Sequence, residues 1–145
     1  MDNTRDEILI DELPKVELHR HLEGSVRIET LRNVIRLYAQ EGLPSLDAIA
    51  RMVQVNPADS LTPANFLSKF TTLRYFYLSP EIIQQIAYEA VADAASEGVR
   101  YLELRFTPTS LARLKQFPLG EVMDWVIDSC QRAAKDHHII TRLIA

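Results

Sequence analysis

Two histidines and a glutamate stand close together near the start of the chain, in the stretch PKVELHRHLEGSVR at residues 14–27. His19 and His21 are separated by one residue, and Glu23 follows His21 after one more. Imidazole nitrogen is a common zinc ligand, and a catalytic zinc ion takes about three protein ligands and an open position for water. The residue types and spacing therefore suit a metal site that begins with the two histidines.

The histidines follow a segment with the period of a β-strand, in which Val16 and Leu18 alternate with polar residues. Residues two apart project from the same face of a strand, so His19 and His21 would meet if the strand continued through Arg20. A bare His-x-His also occurs at strand ends in proteins that bind no metal. The residues alone leave the structural and the metal interpretations open.

Prolines, glycines, serines and threonines divide the rest of the chain into helices and strands. Helices are predicted over residues 28–42, 46–54, 79–98 and 119–137, with another that begins at Thr62 and Pro63, and further strands over residues 99–106 and 139–145. Gly42 and Gly98 are the predicted helix stops. This order is typical of right-handed crossovers between parallel strands, so the fold class is α/β.

Two α/β architectures compete, the open doubly wound sheet and the closed barrel. One face of each predicted strand carries charge, with Glu17 in the first strand and Glu103 and Arg105 in the second, whereas strands covered on both faces are mostly apolar. A barrel has eight strands and about 250 residues, but this chain has 145 residues and three predicted strands. We therefore predict a single unit, residues 1–145, forming the truncated N-terminal part of a (β/α)8 TIM-type barrel.

The composition restricts the partners and the metal ligands. The net charge of −4 argues against nucleic-acid binding, which usually needs a basic surface. The N-terminus is acidic and no apolar run is long enough to span a membrane, so we predict a cytoplasmic protein without a membrane partner. With Cys130 as the single cysteine, metal ligands must come from His, Asp or Glu.

Three segments resemble one known family. PKVELHRHLEG resembles the motif that opens the adenosine and AMP deaminase family of the amidohydrolase superfamily, in which the first barrel strand ends in a His-x-His metal pair. FLSKF, at residues 66–70, looks like the family's helical segment that closes over the nucleoside, and VRYLELRFTP, at residues 99–108, looks like its second barrel strand. The likeness runs from about Leu13 to Ala145 and is strongest to bacterial members.

This resemblance implies a reaction and a cofactor. His19 and His21 would be two ligands of a zinc ion, but the remaining ligands and the catalytic acid/base residues of the family come from later strands, so none of the catalytic residues is expected here. The implied activity of the full-length parent is hydrolytic deamination of adenosine to inosine and ammonia by a zinc-activated water, with adenine and AMP as alternative substrates. This chain alone is expected to be inactive; the competing hypothesis is a non-catalytic fragment or an interaction module that oligomerises through its open sheet edge.

The resemblance also assigns residues to a purine nucleoside substrate. Glu23 would contact the ribose, Phe66 and Phe70 would line the apolar side of the purine pocket, and Thr107 would lie near the substrate. The structural alternatives are a solvated turn residue for Glu23 and core packing for the two phenylalanines. We expect Glu103 and Arg105 to be structural charges, with Arg105 paired to Glu17 across the strands.

Overall fold

The computed structural model describes residues 13–38, 45–60 and 62–145. The elements in these ranges are β1 (Lys15–His21), a 3-10 turn (Leu22–Gly24), α1 (Ile28–Tyr38), α2 (Leu46–Val53), α3 (Pro63–Arg74), α4 (Pro80–Ser96), β2 (Val99–Arg105), α5 (Pro108–Arg113), α6 (Leu119–Asp136) and β3 (Ile140–Ile144). The strands form one parallel sheet in the order β1-β2-β3. The predicted α/β class is confirmed.

The core lies between the sheet and helices α4 and α6. Leu102 and Leu104 of β2 are fully buried, and Ile83 and Ile86 of α4 and Val126 of α6 are fully buried beside them. Each buried leucine or isoleucine contributes about 2 kcal/mol through the area it removes from water. One face of the central strand is therefore fixed against the helices, which leaves the other face for a site.

Local sequence signals delimit α4, the helix predicted over residues 79–98. The Ser79 side chain accepts a hydrogen bond from the backbone N–H of Ile82, and Pro80 occupies the first turn. Gly98 follows the helix with φ of 83°, a conformation that favours glycine. This sharp turn lets the chain enter β2 directly.

The structure follows α1 as far as Tyr38, and the predicted stop at Gly42 lies outside the described residues. The six-residue helix α5 is not among the predicted elements, although Pro108 in its first turn is a recognisable start signal.

The apolar residues of β1 are its exposed ones. Val16 and Leu18 are 64% and 62% exposed, and Val16 lies opposite Tyr101, which in turn lies opposite Ile140. Glu17 instead lies opposite the buried Leu102. We call the sheet surface defined by Val16, Leu18, Ile140 and Ile144 the open face.

A polar contact explains why Glu17 turns toward the helices. Its Oε1 accepts a hydrogen bond from Arg20 Nε at 2.6 Å, and Arg20 Nη2 donates to Glu97 Oε2 at 2.8 Å. Burial opposes the charge of Arg20, but the hydrogen bonds to both carboxylates outweigh it and raise the pKa of the guanidinium. The predicted pair between Glu17 and Arg105 is therefore replaced by a pair with Arg20.

None of the helices in the described segments is long and apolar enough to cross a lipid bilayer.

Candidate metal and substrate site

A β-bulge positions the two histidines at the C-terminal end of β1. Glu17 pairs with Leu102 and Arg20 with Leu104, so three steps along β1 match two steps along β2. His19 lies within this extra length and has φ of 67°, which is uncommon for a residue with a side chain. The strand therefore continues through Arg20, but with a bulge in place of a regular alternation.

The bulge nevertheless brings the two imidazoles together. The ring centroids of His19 and His21 are 5.1 Å apart, with the planes at 66°. Zn–N distances of about 2.1 Å place two imidazoles on one tetrahedral ion with centroids roughly 5 Å apart. The pair fits two ligands of such an ion, and the described residues contain no group of three or more His, Cys, Asp or Glu side chains placed to hold it.

Arg105 lies against the histidine pair. Its Nη1 is 3.2 Å from His19 Nε2. A guanidinium only donates hydrogen bonds, so His19 Nε2 is the acceptor, and in the neutral ring the proton is on Nδ1. A cation that binds His19 through Nε2 must displace this contact.

A row of aromatic rings extends from His21 along α3. The His21 and Phe70 centroids are 5.7 Å apart, and those of Phe70 and Phe66 are 5.3 Å apart, both edge-to-face. A Cβ added at Gly24 would lie 3.4 Å from Phe70 Cε1, which is ordinary van der Waals contact, so the Phe70 ring lies directly beside this glycine. Phe66 is 51% exposed, which does not fit the core-packing alternative for this residue.

An open cleft of about 520 Å³ borders this row. His21, Gly24, Phe66 and Phe70 form one part of its lining, and the Arg20–Glu97 pair forms another. Its volume is in the range of small-molecule sites. The structure thus brings three of the predicted site residues to one cleft, while His19, Glu23 and Thr107 do not line it.

Glu23 is a buried carboxylate, so the alternative interpretation of Glu23 as a solvated turn residue is wrong. The side chain is 2% exposed, and Oε1 accepts a hydrogen bond from the backbone N–H of Thr107 at 2.9 Å. Oε2 is also buried and has no hydrogen-bond partner in the described part of the chain. Glu23 and Thr107 therefore lie together, joining the turn after β1 to the end of β2.

Two features of this region are absent from the sequence-based predictions. The hydroxyl of Tyr77 is buried without a hydrogen-bond partner among the described residues. In the sequence, Tyr77 is only one tyrosine within a run of aromatic residues, which does not indicate that its hydroxyl is buried. Arg105, predicted to be a structural charge, contacts His19 instead, and that contact depends on a bulge that sequence periodicity does not reveal.

Comparison with known proteins shows the family of this chain. The adenosine deaminase family model matches residues 14–145. The adenosine deaminase of Shewanella loihica is 36% identical over 134 residues, which are 91% of this chain and 40% of the relative. The chain belongs to the adenosine deaminase family, and it spans about 40% of the length of the curated relatives it matches.

Solved structures show the same arrangement of strands and helices. An amidohydrolase from Burkholderia ambifaria with bound zinc superposes with a TM-score of 0.82 at 27% identity, over 97% of this chain and 37% of that one. An Arabidopsis protein, ADAL, in complex with GMP superposes with a TM-score of 0.72 at 28% identity, over 94% of this chain and 41% of that one. The prediction of the N-terminal part of a (β/α)8 barrel is confirmed.

Proposed function

We propose that this chain supplies the first part of the active site of a zinc-dependent purine nucleoside deaminase, which converts adenosine to inosine and ammonia. The observation that carries the proposal is the pair of imidazoles, 5.1 Å apart, beside an aromatic-lined cleft in a member of the adenosine deaminase family. His19 and His21 would hold the ion. When bound, zinc supplies an activated water for attack on the purine ring.

The other residues have roles in binding. Phe66 and Phe70 offer ring faces and edges for a purine, and Phe70 also packs against His21, so a base bound there lies next to the metal ligand. Glu23 and Thr107 would contact the ribose side. Because Glu23 Oε2 is buried, such a contact requires the turn Leu22–Gly24 to open or the carboxylate to act through a neighbouring donor.

Adenosine is the proposed substrate, ahead of adenine and AMP. The curated relatives at 36–37% identity are named adenosine deaminases, whereas the ADAL protein that binds GMP is 28% identical. A negative charge at Glu23 also disfavours a phosphate group near the ribose side. We further propose that residues 1–145 act as a single unit and that this unit lies in the cytoplasm.

A chimaera tests this function. Residues 14–145 would replace the matching segment of the Shewanella loihica adenosine deaminase, and deamination of adenosine, AMP and adenine would be followed by ammonia release. We expect adenosine to be turned over faster than AMP or adenine. His19→Ala or His21→Ala should lower the turnover of adenosine by at least about a hundredfold. His138→Ala is the matched control, because His138 lies between the C-terminal end of α6 and the start of β3, whereas His21 lies at the end of β1. A folded chimaera that binds zinc without deaminating any of the three would contradict the proposal.

For the 145-residue chain alone we propose no deamination. Purified protein with added zinc should form no inosine, and robust turnover would refute this.

A second candidate role is self-association. The open face exposes Val16, Leu18 and Ile140 by 64%, 62% and 54%, and exposed apolar patches commonly mark interaction sites. β1 and β3 are also the edge strands of the three-stranded sheet. Sedimentation of the chain distinguishes this role, since a monomer at high concentration would exclude it.

A further inference from the structure

The buried carboxylate of Glu23 is satisfied on one side only. Oε1 is held by the Thr107 backbone N–H at 2.9 Å, while Oε2 has no partner in the described part of the chain and is shielded from solvent. Buried polar atoms in native proteins are almost always hydrogen-bonded, to protein groups or to ordered water. Oε2 therefore needs a donor.

Tyr77 offers that donor in the same region. It lies in the connection between α3 and α4, and both helices contact the turn Leu22–Gly24 that carries Glu23. Tyr77 is fully buried, and its hydroxyl also has no partner among the described residues. One unpartnered donor, on the connection between the two helices, and one unpartnered acceptor, on the turn that both helices contact, thus lie in the same region.

The electrostatics of Tyr77 agree with this neighbourhood. Burial raises the pKa of the phenol well above its usual range, and the negative charge of Glu23 raises it further. The hydroxyl therefore keeps its proton and remains a donor. Arg74 opposes the shift, so this cation also lies within electrostatic range of the phenol.

We propose that Tyr77 is a positioning residue for Glu23: its hydroxyl donates to one ordered water, and that water donates to Glu23 Oε2. Neither atom has a direct partner among the described residues, and one bridging water would satisfy both groups. With Thr107 on the other oxygen, the carboxylate is then held from two sides, and the turn is fixed directly after His21. The bridge itself does not depend on the proposed function; its importance for substrate binding does.

The bridge is tested in the 145-residue chain without any assay of activity. The carboxylate stretching band of Glu23 is identified by infrared difference spectroscopy between wild type and Glu23→Gln. Tyr77→Phe, which removes only the hydroxyl, should shift this band. Tyr75→Phe is the matched control, because Tyr75 is 63% exposed.

A double-mutant cycle supplies a second measurement. Tyr77→Phe should reduce the folding equilibrium constant about fivefold more in the wild-type background than in the Glu23→Gln background. An unshifted band together with equal effects in both backgrounds would overturn the proposal. If a variant does not fold, a high-resolution crystal structure of the wild-type chain decides, since a water within hydrogen-bonding distance of both atoms is required and its absence refutes the bridge.

The catalytic consequence is tested separately in the chimaera. Tyr77→Phe should raise KM for adenosine while kcat changes less, because the turn that carries Glu23 loses its fixed position. Activity of the chimaera without this KM effect would leave the proposed function intact and reject the role of Tyr77 in substrate binding.

Discussion

Arg105 Nη1 lies 3.2 Å from His19 Nε2, so the guanidinium of β2 covers one of the two ring nitrogens through which His19 could bind a metal ion. The contact joins residues on adjacent strands and places a fixed positive charge beside the two histidines. An ion that bound His19 through Nε2 would compete with this guanidinium.

Removing this charge should strengthen zinc binding. Two unit charges about 4 Å apart in water interact by about 1 kcal/mol, so Arg105→Met should increase the zinc affinity of the chain by about fivefold or more. Competition with a zinc-binding dye measures the change. Arg100→Met, at the opposite end of β2, is the control. An unchanged affinity in Arg105→Met would mean that the ion binds His19 through Nδ1 or does not bind the pair.

The two phenylalanines of α3 should differ in their effect on stability. Phe66 is 51% exposed, so Phe66→Ala should lower the free energy of unfolding by less than about 1 kcal/mol. Phe70 packs against His21 and Gly24, and Phe70→Ala should cost about 2 kcal/mol. Urea denaturation measures both. An equally large loss for Phe66→Ala would support core packing over a role in the purine pocket.

Alkaline pH should destabilise the chain through Cys130. Burial raises the pKa of its thiol from 9.0 to about 12. The unfolded thiol loses its proton at lower pH than the folded one, so the free energy of unfolding should fall above about pH 9, by up to about 1.4 kcal/mol per pH unit. Denaturant titrations at several pH values check the slope.

Cys130→Ala is the control for this slope. The variant should flatten the pH dependence of the free energy of unfolding between about pH 9 and 10. Tyr77 contributes in the same direction only at higher pH. Any loss of stability at neutral pH from the smaller side chain does not change the slope. The native thiol should also react with a disulfide reagent only as fast as the chain unfolds. Rapid labelling of the folded protein at about pH 8 would contradict the burial of Cys130.

Charge on the open face should weaken self-association without loss of stability. Leu18 is 62% exposed, so Leu18→Lys should change the free energy of unfolding by no more than about 0.5 kcal/mol. If copies pair through this face, the dissociation constant should rise about fivefold or more in sedimentation experiments. Leu67→Lys, on α3 and 60% exposed, should have no such effect. Equal weakening by both variants would place the interface elsewhere.

The sequence predicts the elements more reliably than their facing. Ser79, Pro80 and Gly98 are local signals, and the helix they delimit is formed as predicted because capping and turn geometry depend on neighbouring residues. The direction of Glu17 depends instead on Arg20 and Glu97, of which the latter is distant in sequence. A period of two cannot reveal such a contact.

In the candidate site, too, local sequence patterns predict some features and not others. His19 and His21 are predicted from their types and spacing, and the structure places their ring centroids 5.1 Å apart. The burial of Glu23 and the involvement of Tyr77 depend on how α3 and α4 pack against the turn after β1, which no local pattern in the sequence encodes.

The bulge at His19 exchanges the faces of the sheet toward which the odd and even positions of β1 point. Before it, the even position 16 lies on the open face and the odd position 17 faces the helices; after it, Arg20 is opposite buried Leu104 and His21 is opposite Arg105. A strand of unbroken alternation would put His21 on the same side as Glu17, away from the site. One additional residue thus lets the same short strand direct Glu17 to the helices and His21 to the opposite face of the sheet.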